Sequence, residues 1–235
     1  MSHLHIPDGL LPVWLWVTGL ALAMAAVLLS LYMVRKMDLR KKVPLLGMMS
    51  AVMLVGMSLE VVPTYHVNLS IITGIVIGPW LMIIASLIVN LLLALVGHGG
   101  ITVVGLNTLV IGAEGIMGYV FFTVLRKLFK PGLAAGLSAF GALFFSTCLM
   151  LLVVFISNIN LGADSLHEVR ELIGSPTADS VAALLRLQKG FNFRFFAYAA
   201  ILLGSIGWVI EAFVTAAAVR FISLVKPDMI SRGGR

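Results

Sequence analysis

The stretch VWLWVTGLALAMAAVLLSLYMV, Val13 to Val34, stopped at once by Arg35 and Lys36, decides the fold class. It holds no charged side chain from end to end. Wound as an α-helix it is about 33 Å long, which matches a hydrocarbon core of about 30 Å. It lacks the layout of a cleaved leader, because no basic segment precedes it and no small-residue cleavage boundary follows its apolar run. It reads as a retained membrane helix.

Working outward, the same texture continues along all 235 residues. Hydrophobic residues make up 60% of the chain, charged residues only 11%, and the mean hydropathy is +1.10. A soluble domain carries about a quarter charged residues, so lipid is the expected solvent. The fold class expected is all-α: a polytopic, multi-pass membrane protein forming a single transmembrane domain, 1–235. The single cysteine, Cys148, sits in an apolar run, so no disulfide framework exists. It reads as a small packing residue.

Hydropathy marks about seven spans: Val13–Val34, Val43–Val62 closed by Pro63, Leu69–Ile77, Trp80–Val96, Leu106–Leu125, Leu133–Ile156 and Phe195–Phe221. The third and fourth are short and hinge at Gly78-Pro79. The net charge of +6 is no sign of nucleic acid, because the basic residues lie in short inter-helix loops. Arg35, Lys36, Arg40, Lys41, Lys42, Arg126, Lys127, Lys130, Arg220, Lys226, Arg232 and Arg235 fall on one side of a seven-span arrangement. Only Arg170, Arg186, Lys189 and Arg194 fall on the other, which predicts the N-terminus outside and the C-terminus inside. The segment 157–190 is then a long outer loop, with the amphipathic ADSVAALLRL (178–187) lying along the membrane surface or serving as a solvated connector.

With that orientation all five histidines, His3, His5, His66, His98 and His167, fall on the outer side. Imidazole is the common ligand of cobalt, nickel, zinc and copper. One loop histidine means little, but histidines gathered at three turns of so apolar a chain point to a metal site. Residues 1–12 form the outer N-terminal segment of that site. Within it, Ser2-His3 at a processed terminus offers an amine, an amide and an imidazole, a set suited to square-planar Ni(II) or Cu(II).

His5-Ile6-Pro7-Asp8-Gly9-Leu10-Leu11-Pro12 resembles the N-terminal signature of the CbiM/NikM family, the substrate-binding membrane subunits of energy-coupling-factor importers for cobalt and nickel. Thr64-Tyr65-His66-Val67-Asn68-Leu69 with Gly78-Pro79-Trp80, and Gly97-His98-Gly99-Gly100 with Gly105-Leu106-Asn107, are similar to the same family in the same order. The resemblance covers about residues 5–125. It implies Co2+ or Ni2+ as transported substrate, held near the outer face by a terminal amine, the amide and imidazole of the second residue, and a loop histidine. Mapped here, it implies His5 and His66 as ligands, with His98, Asn68 and Asn107 orienting them.

One departure matters: Leu4 stands where the family has its first Met, and Met1-Ser2-His3 precedes it. Either His3 and His5 both ligate with His66, which is the preferred arrangement, or Ser2-His3 supplies amine, amide and imidazole while His5 takes another role. The resemblance also implies partners: a membrane coupling protein, two ATPase subunits and in some systems a small extra membrane subunit. This chain has no G-x-x-x-x-G-K-[ST] motif, so no ATP site is expected in it, and it is expected to be a transport subunit and no enzyme.

Other features carry weaker signals. Glu60, Glu114 and Glu211 lie in spans or at their edges, where a carboxylate is costly; Glu60 is near the His66 loop and is a candidate to orient a ligand. Ala21 with Ala25, and Ala212 with Ala216, permit close helix contact, and Ala21/Ala25 is the candidate docking face for the coupling protein. The 12 methionines read as core filling. The rival functions are a substrate subunit for an organic vitamin, which needs an aromatic, hydrogen-bonding pocket, an intramembrane metalloenzyme using Glu60, and a secondary transporter, for which no inverted repeat is evident.

Overall fold

The computed structural model describes residues 11–58, 60–62, 65–97, 100–173 and 193–231. The order of elements is α1 (Val13–Val34), α2 (Leu39–Ser58), a two-stranded hairpin of β1 (Glu60–Val62) and β2 (Tyr65–His66), α3 (Ser70–Ile77), α4 (Pro79–Leu95), α5 (Val104–Leu125), α6 (Pro131–Ile173), α7 (Phe193–Val225) and α8 (Pro227–Ser231). Among the described residues, four helical segments are long and apolar enough to cross a bilayer: Val13–Val34, Val104–Leu125, Pro131–Ser157 and Ala200–Val225. Lys42–Ser58 and Pro79–Leu95 are shorter apolar helices. The chain is a polytopic helical membrane protein.

Large apolar side chains cover the outside of the bundle, among them Leu22, Leu28, Leu202, Phe213 and Phe221. In water such a surface would be an aggregation site; in lipid it is the solvated face. The helices are apolar all round, so hydropathy alone does not mark their buried faces. On α1 the buried stripe is Leu15, Gly19, Ala23, Val27, Ser30 and Val34. It meets α5 where a Cβ on Gly105 would lie 2.5 Å from the Leu20 Cα, so the two backbones touch. The second close seam joins α6 to α7. A Cβ on Gly136 would stand 3.1 Å from the Ala212 carbonyl oxygen and 3.2 Å from the Ala216 methyl, so the Ala212/Ala216 pair does serve close packing. Trp208 of α7 locks this seam edge-on against Phe140 and Phe144 of α6, at 5.8 and 5.7 Å between ring centroids.

The third span expected from hydropathy, Leu69–Ile77, is helical from Ser70 onward but short. Eight residues of α3 are about 12 Å of helix, well short of a hydrocarbon core. Non-helical chain through Val67 and Asn68 leads into it, and Gly78, at φ 84 and ψ 171, ends it. That conformation suits only glycine. Pro79 then starts α4 at the position where a proline costs no hydrogen bond. At the far end of α4, Gly97 has φ 82 and turns the chain out of the helix.

Three further expectations change. Span two stops at Ser58, and Glu60, placed at its end by hydropathy, lies on β1. The expected loop from Ser157 begins as helix, because α6 continues to Ile173, 43 residues in all. Leu, Glu and Arg are good helix formers, and no proline intervenes before Pro176. The 178–187 stretch lies outside the described residues. Cys148 is exposed on the bundle surface, so it is no packing residue.

One glycine is free of such constraints. Gly47, inside α2, has no neighbour within 4 Å of an added Cβ. Gly47→Ala is therefore expected to stabilise the protein by about 0.5–1 kcal/mol through helix propensity alone, read as a higher melting temperature in detergent.

Candidate metal-capture site

The hairpin carries the one site histidine in the described residues. β1 and β2 are antiparallel, with Glu60 opposite His66 and Val62 opposite Tyr65, and an irregularity between Glu60 and Val62. Glu60 and His66, six positions apart in sequence, thus share one rung of a ladder. Spacing had placed Glu60 near this histidine only loosely; the backbone pairs them. His3, His5 and His98 lie outside the described residues. His167 falls on the far part of α6.

From His66 the chain turns into the bundle. The Val67 carbonyl packs on α2 at Gly56, where a Cβ would come within 2.8 Å of it. Asn68, fully buried, donates its amide Nδ2 to Glu114 Oε1 at 2.7 Å. Its Oδ1 accepts the Ser70 backbone N–H at 3.0 Å, which satisfies one of the orphan donors at the start of α3. The Ser70 hydroxyl also donates to Glu114 Oε1. Glu114, midway along α5, thereby ties the segment leaving His66 and the start of α3 to α5. Backbone outside a helix at membrane depth requires such partners, since no water is there to supply them. Asn68 therefore faces the bundle interior through this network.

A second polar knot joins α4 to α5: the Ser86 hydroxyl donates to the Thr108 carbonyl oxygen at 2.9 Å, and Asn90 Nδ2 donates to the Ser86 carbonyl oxygen at 2.8 Å. Asn107, the residue before Thr108, is buried at the start of α5. Ala21 and Ala25 are both exposed, on the face of α1 opposite its buried stripe. Glu211 is fully buried on α7. Glu114 stands out in the sequence by its charge, whereas Ser70, Ser86 and Asn90 do not. For the last two, the only available signal was polarity four residues apart within an apolar helix.

No group of three or more His, Cys, Asp or Glu side chains converges on a metal position among the described residues. Three of the four histidines proposed for the site or its surroundings lie outside that set.

Comparison with known proteins agrees with the sequence motifs. A family profile described as the cobalt uptake substrate-specific transmembrane region, CbiM, matches residues 5–229. The cobalt transport protein CbiM of Sorangium cellulosum (strain So ce56) is 28% identical over 162 residues, 63% of this chain and 72% of that protein. Two crystal structures share the fold: a transition metal transporter (TM-score 0.68, 19% identity, 94% of this chain and 93% of that one) and a truncated transition metal transporter (TM-score 0.67, 19% identity, 93% and 98%). With a match from His5 nearly to the C-terminus, the chain belongs to the CbiM family of cobalt-uptake transmembrane proteins, multi-pass in the prokaryotic plasma membrane.

Proposed function

We propose that this chain is the substrate-capture subunit of an energy-coupling-factor importer, binding Co2+ or Ni2+ at the outer face. The observation that carries the reading is the family match, which begins at His5 and runs through His66 and His98. The hairpin supports it by holding His66 at a fixed rung beside Glu60, where the ladder leaves the bundle. His5 and His66, with His3 as third imidazole, are the ligands. Neutral imidazoles suit both Co(II) and Ni(II); the relative's name favours cobalt.

Seven crossings follow if residues 65–77 count as one. The basic loops then face inward, and the hairpin, the N-terminal segment and the His98 turn share the outer side. Capture of the ion there, closure of residues 1–12 over it, and inward release when partner chains reorient the subunit make up the transport cycle. The energy comes from two ATPase subunits through a membrane coupling protein, with a small further membrane subunit where one is required. The exposed Ala21/Ala25 face of α1 is the docking surface for the coupling protein.

The test is titration of the purified protein with Ni(II), Co(II) and Zn(II), beside His5→Ala and His66→Ala. Near-stoichiometric cobalt or nickel binding, lost in both variants, is the expected result. Absent binding, or binding indifferent to both substitutions, sinks the proposal and makes an organic substrate the leading idea.

A further inference from the structure

A histidine on a short hairpin can hold a metal tightly only if the hairpin itself is held. β1 and β2 together contribute only five residues, and an isolated two-stranded ribbon of that size has little stability of its own. The chain before β1 comes from the end of α2. The chain after β2 runs into the bundle interior, where its position is fixed at two points. One is the Val67 carbonyl on Gly56 of α2. The other is Asn68, whose amide donates to Glu114 and whose oxygen caps α3.

From this we infer that Glu114 is a positioning residue for the metal, setting the place of His66 through Asn68 and Ser70. The inference rests on His66 being a ligand. Three features support it. Glu114 is fully buried at mid-helix in a span, where a carboxyl carries a large desolvation penalty and is retained for a purpose. Its Oε1 accepts from both Asn68 and Ser70, so it serves the exit strand and the α3 cap together. Asn68 is only two residues from His66, so displacement of its anchor by an ångström passes to the histidine almost undamped. Ligand-orienting partners of this kind are usually one bond from the ligand; here the connection runs through two residues of backbone.

The experiment measures metal affinity and the d–d absorption of bound Ni(II) or Co(II) for wild type, Glu114→Leu, Glu114→Gln, Leu143→Ala and His66→Ala. Leu143 is a buried α6 core residue in the same apolar cluster as Ile71, and it has no polar atom to give the Glu114 network, so Leu143→Ala reports what loosened packing alone does. Expected is a loss of about 10–100-fold in affinity for Glu114→Leu, with a shifted d–d band. Glu114→Gln keeps an oxygen for both donors and recovers most of the loss. Leu143→Ala lowers the melting temperature without altering affinity or spectrum. A folded Glu114→Leu protein with wild-type affinity and spectrum overturns the inference, as does an equal loss in Leu143→Ala. Should Glu114→Leu fail to fold, Asn68→Ala and Ser70→Ala decide: weaker binding with a shifted band supports the anchor, and unchanged binding in both overturns it. His66→Ala separates the layers. If it binds as wild type, the ligand reading itself fails; if it alone loses binding, only the anchor fails.

Discussion

Gly74→Leu is expected to leave no folded protein, and Gly74→Ala to melt well below wild type. A Cβ at Gly74 would fall on the carbonyl oxygen of Gly115, 2.7 Å from its carbon and 3.1 Å from its Cα. These are backbone atoms of α5, so no rotamer change relieves the clash; one helix must move. α3 has nowhere to go. All eight of its residues are buried, it ends at a glycine-specific break, and its start is capped by Asn68. Overpacking a core costs about 1–3 kcal/mol and occasionally more; with backbone as the obstacle, Gly74→Ala belongs at the top of that range. Leucine adds three further carbons with no cavity to receive them. Size-exclusion profiles and melting in detergent read the outcome, with Gly47→Ala as the glycine substitution that should stabilise. A monodisperse Gly74→Leu protein of wild-type melting temperature would mean that α3 does not sit against α5 as described.

The membrane class, the positions of the apolar runs and the break at Gly78-Pro79 were legible because each depends on local composition: run length, a lysine or arginine stop, a glycine followed by a proline. The buried face of α1 was not legible from periodicity, since both its faces are apolar, and Ala21/Ala25, the eye-catching small pair, is the exposed one. Gly19 and Gly105 mark the true seam. The hairpin escaped notice for a different reason: Glu60-Val-Val62 continues the hydropathy of α2, and only the pairing of Glu60 with His66 tells strand from helix. Glu114 was visible as a charge in a span, yet its partners lie 46 and 44 residues earlier in the chain. Nothing local to α5 names them. The histidines proposed as ligands stand out for the opposite reason: in so apolar a chain a titratable side chain is conspicuous by type alone.

His66→Ala should lower affinity for Ni(II) or Co(II) by more than about 100-fold, beyond the 10–100-fold typical of groups that merely orient a ligand. It removes a donor nitrogen outright, while the backbone rung with Glu60 makes no demand on the side chain, so the fold should survive. Circular dichroism and melting temperature close to wild type, with binding lost, is the expected combination. The pH dependence then distinguishes the two arrangements at the N-terminus. Metal competes with protons for neutral imidazole, and histidine ordinarily titrates near pH 6.5. Affinity built on His3, His5 and His66 should therefore be flat above about pH 7.5 and fall by about tenfold per pH unit for each imidazole below about pH 6.5. A site that instead takes an amine and a deprotonated amide from Ser2-His3 goes on releasing protons at higher pH. Its affinity should keep rising through the amine range of about 7.7–8.0. In that second case His5→Ala leaves binding nearly intact and His3→Ala abolishes it; in the first, either substitution weakens binding and neither changes the plateau. Titrations at pH 6, 7 and 8.5 on these two variants and the wild type would therefore decide which histidine faces His66 across the ion.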